Sequence, residues 1–101
     1  MEIKHLIDFK DVDMSIIDII HKYKEIHDDK FSDEEFTISF EIEMINGVIS
    51  PINQDTHYGM MILSDEDTIK IVKYLLNENI LPENCVSWIN IDYPNKITIE
   101  Y

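Results

Sequence analysis

The chain has 101 residues, 45% of them hydrophobic, which suffices for one core closed without disulfides or a structural metal. Its 21 acids stand against 8 lysines and no arginine, a formal charge of −13. That balance disfavours direct nucleic-acid binding and anionic membranes, because phosphate contacts need clustered cations and arginine supplies the bidentate base contacts.

A lone Cys85 cannot close an internal disulfide, and its neighbours Val86 and Trp88 suit a strand better than a redox or metal loop. The first residues carry charges at Glu2, Lys4 and Asp8 and lack the apolar stretch of a signal peptide, and no run reaches transmembrane length. A cytoplasmic protein is expected. Twenty isoleucines, no alanine and no arginine are the usage of an A·T-rich coding sequence, which points to a low-GC bacterial host, its phage or a mobile element.

In chain order, residues 2–9 alternate Ile3, His5, Ile7 and Phe9 against Glu2, Lys4, Leu6 and Asp8, which predicts a strand. From Met14 to about Asp28, Ile16, Ile17, Ile19, Ile20, Tyr23 and Ile26 recur at helical spacing, with Asp13 or Ser15 as N-cap. Residues 28–35 then read as an acidic connection holding Asp28, Asp29, Asp33, Glu34 and Glu35. Over 36–44, Phe36, Ile38, Phe40, Ile42 and Met44 alternate with Thr37, Ser39, Glu41 and Glu43, the pattern of a half-buried strand. Asn46-Gly47 predicts a tight hairpin, and the returning strand, Val48 to Ile52, carries Pro51 and so belongs at an edge or a bulge.

The apolar run 57–63 predicts a further, central strand. Ser64 reads as an N-cap with Asp67 three residues on, ahead of a stripe of Ile69, Val72, Leu75 and Leu76, and this second helix ends near Asn77 to Asn79. The last stretch is a second hairpin, Cys85 to Tyr93 and Lys96 to Tyr101. A three-residue loop, Pro94 to Lys96, pairs Tyr93 with Ile97, Ile91 with Ile99 and Ile89 with Tyr101, which keeps one face apolar. The expected fold is α+β: a mostly antiparallel sheet of five or six strands with two helices on one face, in the order β-α-β-β-β-α-β-β, forming a single domain over 1–101.

Catalytic motifs are lacking. Gly47 and Gly59 cannot make a phosphate cradle or a nucleophile elbow, and His5, His21, His27 and His57 have no metal-ligand spacing. Asp11 and Asp13 lack the glycine and distal glutamate of a calcium loop, and Asp65 to Asp67 suits the first turn of a helix. No catalytic residue, metal or cofactor is expected. What remains is an ordered row of acids: Glu41 and Glu43 share a strand face, about 6.8 Å apart, and Asp92 and Glu100 extend it if the hairpins are neighbours, with Trp88 as an aromatic anchor. The acidic segment from Asp28 to Glu35 is the second candidate surface.

In size, acidity, compact α+β pattern and lack of a catalytic motif, the chain resembles the small inhibitors made by phages and mobile elements, anti-CRISPR proteins and immunity proteins against nuclease toxins. The likeness is one of composition, so no residue roles carry over. It implies a non-enzymatic inhibitor whose acidic surface blocks a basic nucleic-acid-binding groove of a target protein. The alternatives are an immunity protein neutralising a bacterial toxin and a homo-oligomeric accessory protein, a homodimer among them.

Overall fold

The computed structural model describes residues 2–31, 36–56 and 63–101. Its elements are β1 (Ile3–Asp8), a 3-10 turn (Phe9–Asp11), α1 (Met14–Phe31), β2 (Phe36–Ile45), β3 (Val48–Thr56), α2 (Asp65–Asn77), β4 (Cys85–Tyr93) and β5 (Lys96–Glu100). The five strands form one sheet in the order β1-β5-β4-β2-β3, and every neighbouring pair is antiparallel. This is the α+β class read from the sequence. Of the strand expected at 57–63, residues 57–62 lie outside the described residues, and Leu63 is buried just ahead of α2.

Asp13 opens α1. Its carboxylate accepts the Ser15 backbone N–H at 3.1 Å and the Ser15 hydroxyl. Its carbonyl accepts the first helical amides, those of Ile16 and Ile17. These bonds to Ser15 hold the Asp13 carboxyl below the usual carboxylate range. The inward stripe is Ile16, Ile20, Tyr23 and His27, spaced as one face of a helix. Ile26, expected on that face, is exposed, and His27 takes its place against the Phe36 ring, 5.2 Å between centroids. The helix also runs to Phe31, so Asp28 and Asp29 are helical and not part of a connection. Lys24 pairs with Asp28 one turn on and carries the helix through this acidic stretch.

The α2 stripe is Thr68, Ile71, Val72 and Leu75, and the expected core residues Ile69 and Leu76 are only half-buried. The helix is turned because Asp67 is drawn inward by Tyr23 and Lys22. At the far end Asn79, with φ 60°, forms a left-handed cap. The Asn79 N–H donates to Leu76 O at 3.0 Å and the Ile80 N–H to Leu75 O at 2.9 Å, the two bonds of a Schellman ending.

The sheet gives its apolar side to both helices. Phe36, Ile38, Phe40, Ile42 and Met44 of β2 lie with Ile89 and Ile91 of β4 and Ile97 and Ile99 of β5 in one core with the helical stripes. Asn46 and Gly47 both have positive φ, 52° and 81°, as the expected hairpin requires. β3 is an edge strand, and the pairing jumps from Glu41 with Asn53 to Ile42 with Pro51, leaving Ile52 unpaired. Pro51 thus sits at both an edge and a bulge.

Two registers differ from expectation. In the last hairpin Asp92 pairs with Lys96, Ile91 with Ile97 and Ile89 with Ile99, two residues away from the expected pairing. The Asn95 N–H closes on the Asp92 carbonyl at 2.7 Å, so the connection is Tyr93-Pro94-Asn95, with a cis bond before Pro94. In β1 a bulge between Ile3 and His5 puts Ile3 opposite Glu100 and leaves it 62% exposed, while His5 and Ile7 stay on the core side.

Candidate partner-binding face

Alternation in β2, β4 and β5 sends the other half of each strand to the face turned away from the helices. Pairing across the sheet orders that face into rows. One row reads Glu100, Trp88, Glu41 from β5 through β4 to β2, so the half-buried indole lies between two carboxylate residues, one strand spacing of about 4.8 Å to each side. Towards the β2–β3 hairpin the next row is Val86, Glu43 and Ser50. On the other side Thr98, Asn90 and Ser39 follow, with the Ser39 hydroxyl donating to Asn90 Oδ1. Beyond them come Asp8, Lys96, Asp92 and Thr37.

Five of the residues singled out from the sequence therefore share one surface: Glu41, Glu43, Trp88, Asp92 and Glu100. Asp92 is the least acidic part of it, because Lys96 is its direct cross-strand neighbour and Asp8 flanks Lys96 from β1. Glu41, Glu43 and Glu100, whose paired residues on the neighbouring strands include no lysine, are grouped around Trp88. Val86, 42% exposed, adds apolar surface beside Glu43 and was not anticipated. Its outward position follows from strand parity with Trp88.

The second candidate surface does not join the first. Asp28 and Asp29 lie at the C-terminal end of α1, in the layer on the opposite side of the sheet. Asp28 is bonded to Lys24, which holds its carboxyl below the usual range, with a further contact to His27 Nδ1 at 3.4 Å. Asp33, Glu34 and Glu35 fall outside the described residues.

Elsewhere, two polar constellations tie the helical layer together. The Tyr23 hydroxyl accepts the Ser64 N–H at 3.0 Å and donates to Asp67 Oδ2 at 2.6 Å, while Lys22 Nζ approaches the same oxygen at 2.7 Å. Burial alone raises the Asp67 pKa, but the bonds from Lys22 and Tyr23 outweigh it and the carboxyl ends below its ordinary value. Lys22 is correspondingly raised by its bond to Asp67. The second constellation is Glu25, His21 and Tyr93, with His21 Nε2 3.2 Å from Glu25 Oε1 and Nδ1 2.9 Å from the Tyr93 hydroxyl. It has the order of an acid, a base and a hydroxyl, and with the Tyr93 ring packed edge-on against Phe9 and Phe36 it fastens α1 to β4.

A cleft of about 780 Å³ opens at the sheet end between Met44, Leu81, Tyr101 and the amides of Asn46, Asn77, Asn79 and Asn84. Among the described residues no group of three or more His, Cys, Asp or Glu converges as a metal set, and no helix is long and apolar enough to cross a membrane. Burial raises the Cys85 thiol above its usual pKa, and Cys85 Sγ lies 3.6 Å from the Pro82 carbonyl. Compared with protein-family models, curated proteins and solved structures, the chain has no match.

Proposed function

We propose that the protein is a non-enzymatic inhibitor made in a bacterial cytoplasm by a phage or mobile element, one that lays its acidic sheet face over the basic nucleic-acid-binding groove of a target protein. The observation that carries this reading is the row Glu100, Trp88, Glu41 with Glu43 beside it, on a face that no described helix covers. Carboxylates carried on a sheet have their backbone spacing fixed in advance, so only their side-chain rotamers are ordered on binding, and a half-buried tryptophan among them is the residue type that dominates interface energetics. The overall charge of −13 adds long-range steering towards a cationic partner.

The reading is tested by competition. A partner isolated on the immobilised protein should release it when that partner's own DNA or RNA is added, and Trp88→Ala should speed dissociation while changing the on-rate little. A partner that binds nucleic acid and inhibitor together would overturn the groove-blocking reading. An immunity protein acting on a nuclease toxin fits the same surface, and its target would be displaced from substrate in the same way.

A further inference from the structure

We propose that the cleft at the sheet end binds an arginine-bearing segment of peptide. Its floor is apolar, built from the buried Met44 and Leu81, and its rim carries the amides of Asn46, Asn77, Asn79 and Asn84. At about 780 Å³ it has room for more than one side chain and falls within the span of sites that enclose small ligands. Asparagine amides both donate and accept, which is what a peptide backbone requires of its neighbours. Asn84 Oδ1 already accepts the Asn46 N–H at 2.9 Å, so this amide is oriented with its NH2 group left as the donor.

Charge selects the side chain. α2 meets the cleft at its C-terminal end, through Leu76, Asn77 and the left-handed cap Asn79. The opposite end of that helix has Asp65, Glu66 and Asp67 in its first turn, whereas the last turn holds no basic residue, so the negative end of the helix dipole meets the cleft without a cation in that turn. Among the described lining residues the only charged side chain is Glu83. Lys4 comes near through Tyr101, 5.7 Å from the ring centroid, but it is bonded to Glu2 at 2.9 Å and does not line the cleft. Arginine fits this setting better than lysine, because its planar head offers five donors to carbonyl and amide oxygens and its weaker hydration lowers the cost of leaving water. Its aliphatic stem covers Met44 and Leu81. None of the 101 residues is arginine, so none of them is the occupant.

The inference does not rest on the inhibitor reading, because the cleft lies on the helical side of the sheet and the acidic row on the other. The probe is the blocked tripeptide acetyl-Gly-Arg-Gly-amide, titrated into the full chain and followed by backbone amide shifts. Peptides with citrulline or glutamate in place of the arginine serve as neutral and anionic counterparts. The expected result is a saturable shift at Asn46, Gly47, Leu81 and Asn84 with the arginine peptide, weaker binding of the citrulline peptide and none of the glutamate peptide. Glu83→Gln should weaken the arginine peptide about two- to fivefold, the worth of an exposed ion pair. Asn79→Gly should weaken it about two- to tenfold while raising Tm, because it removes a rim hydrogen bond and relieves the left-handed backbone. No saturable shift, shifts spread over the acidic sheet face instead of the cleft, equal binding of the citrulline peptide, or an affinity unchanged by either variant overturns the inference.

Discussion

Asp67 shows how one buried carboxylate organises the helical layer. Its side chain is 9% exposed, bonded at once to Lys22 and Tyr23, and its own N–H donates to the Ser64 hydroxyl at 3.1 Å. Because its folded pKa lies below the unfolded value of about 3.9, the stability it contributes is present above that value and is lost as pH falls through the folded pKa. Urea unfolding should therefore find Asp67→Asn less stable than the parent by about 1–3 kcal/mol at neutral pH, with the gap closing in strong acid. A gap that is the same at both pH values would mean that the charge of Asp67 is irrelevant. The cap itself was legible, since Ser64 with an acid three residues later is a local pattern. Its partner Tyr23 was not, because a contact across 41 residues leaves no trace in periodicity.

At the element scale, turn chemistry makes opposed predictions at two left-handed positions. Gly47 has φ 81° with nothing within 4 Å of an added Cβ, so Gly47→Ala meets no clash and costs only backbone strain, about 1 kcal/mol. Asn79→Gly should instead stabilise by about 0.5–1 kcal/mol, since glycine carries no Cβ penalty in the Schellman position. Thermal unfolding of the two variants should move in opposite directions, and movement in the same direction would contradict the cap assignment. In the strands, Ile42→Ala and Ile91→Ala each remove a fully buried side chain and should cost about 2–5 kcal/mol by chemical denaturation; a loss below about 1 kcal/mol for either would contradict its place in the core.

What alternation encodes is parity, and this sets the limit of reading strands from sequence. A shift of two residues keeps Ile89, Ile91, Ile97 and Ile99 on one face, so the apolar pattern of the last hairpin could not distinguish its register from the expected one. The Asn95 to Asp92 bond decides it. The same parity placed Trp88, Asp92 and Glu100 correctly on one face, and only the strand order β4 beside β2, a long-range fact, added Glu41 and Glu43 to it. In β1 a bulge broke parity and sent Ile3 to the wrong side of the expectation. The α2 stripe shifted because a polar tether turned the helix, which hydrophobic spacing does not record.

For the whole molecule, acidity was plain from composition, and its distribution was not. On the sheet face Glu41, Glu43 and Glu100 group around Trp88, while Asp92 faces Lys96 and Asp28 is engaged by Lys24 on the far side. Those three acids with Trp88 form the proposed binding surface, and the most direct test is the association rate with the isolated basic partner as a function of salt, for the parent and for the double variant Glu41→Lys with Glu43→Lys. Surface changes of this kind usually shift stability by within about 0.5 kcal/mol, so the fold should survive the reversal. The expected result is a steep fall in the parent's on-rate as the Debye length shrinks from about 30 Å at 0.01 M to about 8 Å at 0.15 M, and a slow, nearly salt-independent rate for the variant. An on-rate indifferent to salt, or a variant that associates as fast as the parent, would contradict it and leave the sheet face without its assigned role.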